Sequence, residues 1–162
     1  AANSVPIIAF APFLNNWFGV DNPFSKMMIV SVIVFFPMMI NTVRGLTLVD
    51  PAAIELMRSY AASEFTILRK VRLPNALPYM FNAFKVAATL SMIGAVVSEY
   101  FGGNRSALGV FTTQEAAQFR FQNSWAAIII ACIVGLTFYL AVLLVERITI
   151  PWHSSLRSTD HR

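Results

Sequence analysis

Three stretches of this chain, residues 24–43, 75–100 and 124–146, run almost without charge, and each is long enough to cross a bilayer. A hydrocarbon core of about 30 Å takes roughly 20 helical residues. An open strand in lipid would leave its backbone N–H and C=O groups unpaired, so each stretch is expected to be a helix. The expected fold is all-α: a polytopic helical membrane protein with about three full transmembrane helices. Composition agrees, since 57% of residues are hydrophobic and 12% are charged, against about 25% charged in soluble domains. Such a chain lacks both the polar surface of a water-soluble globule and the polarity of a disordered linker. Residues 1–23, apolar but interrupted by Pro6 and Pro12, are expected to form an external or interfacial segment.

The net charge of +4 matters less than where the charges fall. Residues 44–74 carry Arg44, Arg58, Arg69, Lys70 and Arg72, and the tail 147–162 carries Arg147, Arg157 and Arg162. Residues 101–123 hold only Arg105 and Arg120. Basic loops stay on the cytoplasmic side of a bilayer, which makes the 44–74 loop and the tail cytoplasmic and the 101–123 loop external. The first span then runs inward and leaves the N-terminal end outside. An odd number of preceding helices would repair that awkward start, so the chain is expected to be the C-terminal part of a longer membrane protein. The single cysteine, Cys132, allows no internal disulfide and no cysteine-based zinc cluster, and its apolar neighbourhood suggests inert packing. No metal site and no nucleic-acid partner are expected.

Small residues recur at four-residue spacing in both later spans: Ala83, Ala87, Ser91 and Ala95, then Ala127, Ala131 and Gly135. Tight helix packing is the ordinary meaning of such a stripe, with pore lining the sharper one.

The loop 44–74 is the most informative segment. Asp50-Pro51 is a helix start, with a carboxylate cap followed by proline at the first helical position. A short helix is expected to run from there to Tyr60. Ser63 caps a second one over Glu64 to Lys70, and Leu73-Pro74 should stop the chain before the next span. The pair forms a knob whose apolar groups, Ile54, Met57, Tyr60, Phe65, Ile67 and Leu68, call for a partner surface.

The spacing of this loop resembles that of the permease subunits of bacterial ABC importers. Their motif reads E-A-A, three residues, G, nine residues, I-x-L-P. Here Glu55 takes the place of the Glu, Ala61 of the Gly and Val71 of the Ile, followed by Leu73 and Pro74. Leu56 and Met57 replace the two alanines, and Ala61 replaces a glycine that would turn the chain left-handed without steric cost. A literal Glu115-Ala116-Ala117 lies in the external loop without the downstream Leu-Pro and is taken as coincidence. Ala9-Phe10-Ala11-Pro12, Trp17-Phe18-Gly19, Phe36-Pro37, Asn41-Thr42 and Gly45-Leu46 resemble the nitrate, sulfonate and taurine branch. Gly94 to Gly103 and Gln114 to Arg120 look most like importers of pyrimidine vitamin precursors or riboflavin.

The resemblance implies that residues 1–162 are one transmembrane permease domain, part of a six-span fold whose first half is absent. Its segments would be 1–23 external or interfacial, 24–43 span, 44–74 cytoplasmic coupling loop, 75–100 span, 101–123 external loop, 124–146 span and 147–162 cytoplasmic tail. It implies a separate ABC ATPase that carries ATP and Mg, so this chain binds no cofactor itself and is not an enzyme. It also implies a second permease copy, most simply an identical one, an external solute-binding protein, and a place in the bacterial inner membrane. Glu55, Met57, Tyr60, Ala61, Phe65, Val71, Leu73 and Pro74 would form the ATPase-coupling surface. No G-x-x-x-x-G-K-[ST] phosphate loop occurs, consistent with nucleotide binding elsewhere.

Within the spans, polar groups are candidates for the translocation path by default. These are Asn82, Lys85, Ser91, Ser98 and Glu99. Each also has an ordinary meaning: Lys85 can snorkel or pair, and Glu99 with Tyr100 can anchor the interface, as can Trp125 and Trp152. An intramembrane enzyme finds little support, because His153 and His161 lie in the tail and no Asp lies in a span. An ion-coupled secondary transporter is the alternative class; only Pro37 hints at the broken helix it would favour.

Overall fold

The computed structural model describes residues 7–19, 22–104 and 106–151. Arg105 and the tail from Trp152 onward, with His153, Arg157, His161 and Arg162, lie outside the described residues, as do Val5 and Pro6. Every regular element among the described residues is helical. A 3₁₀ turn, Ile7–Phe10, leads into α1 (Ala11–Phe18), followed by α2 (Pro23–Thr47), α3 (Pro51–Ser59) and α4 (Glu64–Ile67). A π-helical stretch, Leu68–Arg72, then leads into α5 (Leu73–Tyr100), α6 (Leu108–Ala117) and α7 (Phe121–Thr149). The helices Pro23–Thr47, Glu64–Tyr100 and Phe121–Thr149 are long and apolar enough to cross a membrane. The chain is an all-α, polytopic membrane protein.

Several helix boundaries differ from those expected. The first long helix continues one turn past Val43 and takes Arg44 into its last turn. It also continues past Pro37, so the helix does not end at that proline. The 101–123 segment, expected to be a loop, contains the ten-residue α6. The largest correction concerns Leu73-Pro74, which does not stop the chain. The helical run from Glu64 to Tyr100 is continuous over 37 residues. Its register widens just before the proline, where the Leu73 N–H reaches back to the Leu68 carbonyl. A π-type turn skips one bond of the ladder at the point where Pro74 has no N–H to give.

The chain divides into two compact units, residues 1–37 with 86–140, and residues 38–85 with 141–162. In the first, α1 buries Ala11 and Asn15 and leaves Phe13 and Trp17 outside, at 71% and 83% exposure. Asn15 sits in a closed polar knot. It accepts from Ser25 Oγ at 2.7 Å and donates to the Gly102 carbonyl at 3.2 Å. Gly94 lets α5 approach Ile33 and Val30 of α2, and Gly135 faces Met92 across α5 and α7. Ser124 Oγ donates to the Thr112 carbonyl at 2.7 Å and ties α7 to α6. The small-residue stripes serve packing here: Ala87 and Ala127 are buried, and Ala131 and Gly135 are half-buried.

Cys132 is exposed, contrary to expectation. In this unit α7 covers a narrow seam through Ser124, Ala127, Ala131, Gly135 and Tyr139 and exposes its other apolar side chains. An all-apolar helix in lipid need not bury what it would bury in water.

In the second unit, Ile67, Ala76, Phe81, Ala83 and Ile150 form the core. Gly45 of α2 meets α5 so closely that an added Cβ would lie 2.7 Å from Ala76 Cα. Asn75 Nδ2 seals the joint by donating to the carbonyls of Gly45 at 2.8 Å and Leu48 at 2.9 Å.

Candidate functional site

The knob between α2 and α5 is built by local chemistry. Asp50 accepts the Ala52 N–H at 3.0 Å, with Pro51 in the first turn of α3. The helix ends in a Schellman closure. The N–H of Ala61 bonds the Arg58 carbonyl at 2.9 Å, and that of Ala62 bonds the Met57 carbonyl at 3.1 Å. Ala61 stands between them at φ 51°. The chain thus takes a left-handed turn despite the missing glycine, because two hydrogen bonds offset the Cβ clash. Ser63 then caps α4 by accepting from Thr66 N at 3.3 Å. Arg58 and Glu64 pair across the turn at 3.2 Å, but with 62% and 70% of their side chains exposed the pair adds little.

The knob exposes apolar side chains on its outer surface: Leu56, Tyr60 and Phe65, the last two at 76% and 70%. Glu55 is exposed beside them, and Met57 and Ile54 are half-buried. Ile67 points the other way and is fully buried, so it belongs to the core and is not available to a partner. Of the remaining motif residues, Leu73 is exposed and Val71 and Pro74 are half-buried at the entry to α5. A groove of about 460 Å³ runs there, lined by Asp50, Ala53, Lys70, Val71, Pro74 and Tyr79 among others. In the π stretch the Arg72 Nε is buried without a hydrogen-bond partner.

The polar residues of the spans separate by environment. Lys85 Nζ lies 3.0 Å from Oε2 and 3.1 Å from Oε1 of Glu146, joining α5 to α7. Glu99 turns back to α6, where its Oε2 accepts the Gly109 N–H at 2.7 Å. The N-cap position of α6 is Ala107, which has no side-chain acceptor, so Glu99 serves as the cap from another helix. Ser91 and Ser98 donate to the carbonyls of Ala87 and Ala95 in their own helix. Ser98 is fully buried. Asn82 is exposed. An apolar groove of about 560 Å³ lies between α5, α6 and α7, bordered by Thr89, Met92, Val96, Tyr100, Thr112 and Tyr139 among others. Among the described residues, no three His, Cys, Asp or Glu side chains gather to hold a metal.

Residues 1–151 match the family described as the binding-protein-dependent transport system inner membrane component. The chain belongs to this family.

Among curated members, the formylaminopyrimidine transport permease protein ThiX of Halalkalibacterium halodurans is 31% identical over 94% of this chain. The riboflavin transport system permease protein RibX of Chloroflexus aurantiacus is 31% identical over 96%. The putative aliphatic sulfonates transport permease protein SsuC of Bacillus subtilis is 33% identical over 94%. The chain spans 60%, 57% and 54% of the length of these three relatives. They fall in the branch that the sequence resembled, and membership of this transport family does not favour the ion-coupled alternative.

Two features of this inner-membrane component were missed by reading the sequence. Glu146 drew no attention at the end of its span beside Arg147, although it is the acid of α7 that could answer Lys85, a lone charge in an apolar stretch. Glu115, dismissed with its neighbouring alanines, holds the α6–α7 corner. It accepts from Asn123 Nδ2 at 2.6 Å and lies 3.9 Å from Arg120.

Proposed function

We propose that this chain is the loop-bearing part of the permease subunit of an ATP-driven importer, and that residues 51–74 dock into a separate ATPase. The carrying observation is the knob itself. It is a capped, hydrogen-bonded double turn that holds Leu56, Tyr60 and Phe65 outward at the start of an unbroken helical run into a membrane span. Apolar groups held this way want a protein surface. The partner carries ATP and Mg²⁺, and its closure displaces the knob and reorients the spans. Glu55 offers an exposed anion to a basic group on that partner. Five basic residues around the knob support a cytoplasmic position for it, on the same side as the C-terminal tail. A second copy of the permease completes the path, and an external binding protein delivers the solute.

The test uses the full-length permease reconstituted with its ATPase and binding protein. Tyr60→Asp with Phe65→Asp changes only exposed groups, so the permease should still fold. Solute uptake and solute-stimulated ATP hydrolysis should both be lost. Survival of both would refute the docking assignment.

For the solute we propose a pyrimidine-type vitamin precursor or a flavin-like compound, in keeping with the two relatives named for formylaminopyrimidine and riboflavin. The relative named for aliphatic sulfonates matches at 33% identity and supports a second reading, a small organic anion. Competition against uptake by riboflavin, a formylaminopyrimidine and an alkanesulfonate separates the two.

A further inference from the structure

Lys85 and Glu146 are 61 positions apart on two apolar helices, yet their charged groups meet at 3.0 Å with only 21% and 18% of each side chain exposed. Charges largely buried between apolar helices are expensive and persist where they do something. Stability explains this pair poorly, because two apolar residues of similar volume would pack the same helices without desolvating two ions. What the pair offers, and apolar packing does not, is a directional tie that resists sliding of one helix past the other.

The surroundings show what such a tie would transmit. The pair lies in the unit that also contains the knob. From the knob, α4, the π stretch and α5 form one helical rod, so displacing the knob displaces the first part of α5. That part of α5 is fastened to the end of α2 by Asn75 and by the close approach at Gly45. The Lys85–Glu146 pair fastens the same part of α5 to α7.

We propose that Lys85 and Glu146 are positioning residues for transport, a mechanical linkage through which displacement of the knob reaches α7, so that α5 and α7 move together in this unit. The proposal rests on the reading of the knob as the ATPase-docking element.

The experiment uses the full-length permease with its ATPase and binding protein in proteoliposomes, and reads solute moved per ATP hydrolysed. With Lys85→Met or Glu146→Gln, hydrolysis should continue while this ratio falls about fivefold or more, the lower end of a usual coupling free energy. Exchanging the charges, Lys85→Glu with Glu146→Lys, should recover most of the ratio. Wild-type stoichiometry in the single variants, or an exchange no better than either single, would overturn the proposal. A second arm covers variants that do not assemble. Lys85→Cys and Glu146→Cys, in a Cys132→Ala background, are joined by a short thiol-reactive cross-linker. Without the ion pair this double variant should move less solute per ATP, and the cross-link, which restores a tie of fixed length, should raise the ratio again; no recovery, or a further loss on cross-linking, would overturn the linkage. Failure of the docking reading shows differently: the Tyr60→Asp, Phe65→Asp permease would then stay fully coupled.

Discussion

The backbone N–H of Ala62 lies 3.1 Å from the Met57 carbonyl, closing α3 across a left-handed Ala61. The corresponding position of the importer motif is glycine, and the geometry explains why: a residue at that φ carries a Cβ against its own following carbonyl.

Ala61→Gly should therefore stabilise the knob. Relief of the left-handed strain exceeds the added backbone entropy of glycine, for a net gain of about 1 kcal/mol or less. Ala61→Val should do the opposite, since a β-branched residue tolerates this region worst. Hydrogen exchange at the Ala62 amide in the full-length protein reads both effects. Equal protection in the two variants would mean that the turn does not limit the knob.

Glu99→Ala should loosen α6 by about 1–2 kcal/mol, because it removes the acceptor for the Gly109 N–H and the negative charge at the helix start. Glu99→Gln keeps an acceptor and should lose less. Exchange rates along Leu108–Ala117 are the measurement. Equal rates in the wild type and both variants would remove Glu99 from its capping role.

The parts of this fold that follow from short-range rules could be read in advance. Scarcity of charge located the three spans, and Asp50-Pro51 and Ser63 located α3 and α4, because a cap satisfies donors within the next turn. What escaped depends on partners far along the chain. Helix α6 begins at a residue with no side-chain cap and borrows Glu99, so no local signal marks its start. Glu146 gains meaning only through Lys85. Leu73-Pro74 read as a stop because that rule assumes an unchanged α-register, and the π turn at Leu68–Arg72 changes it. The knob was legible as an amphipathic unit, but the inward direction of Ile67 was not, since only packing against the unit's core sets it.

Gly45→Ala should destabilise the protein by about 1–3 kcal/mol, the usual cost of overpacking. Its added methyl would meet the Ala76 backbone at 2.7 Å and Tyr79 Cβ at 2.9 Å, neither of which can give way alone. Gly94→Ala should cost clearly less, since the nearest atom is Cδ1 of Ile33, the free end of a flexible side chain. Thermal unfolding of the two variants in the same detergent should rank them in that order. The reverse order would show that the α2–α5 joint at Gly45 is looser than its geometry implies.

Helix α1 buries Ala11 and Asn15 and, with Phe10 of the preceding turn, presents Phe13 and Trp17 outward, the three at 52%, 71% and 83% exposure. Tryptophan collects at the level of the lipid headgroups, where its apolar body and its polar N–H are both accommodated, and exposed Phe rings beside it add apolar surface for the lipid. The neighbouring Phe18 and Phe24 rings pack edge to face at 5.1 Å and bring this aromatic face to the first turn of α2. We therefore expect α1 to lie along the membrane surface with Trp17 at headgroup depth. In a full-length variant whose other tryptophans are replaced by phenylalanine, Trp17 fluorescence in vesicles should be quenched most by lipids brominated near the headgroup. Quenching strongest from bromines near the bilayer centre would place α1 inside the hydrocarbon. Quenching by aqueous iodide alone would place it in water, and either outcome would refute the surface assignment.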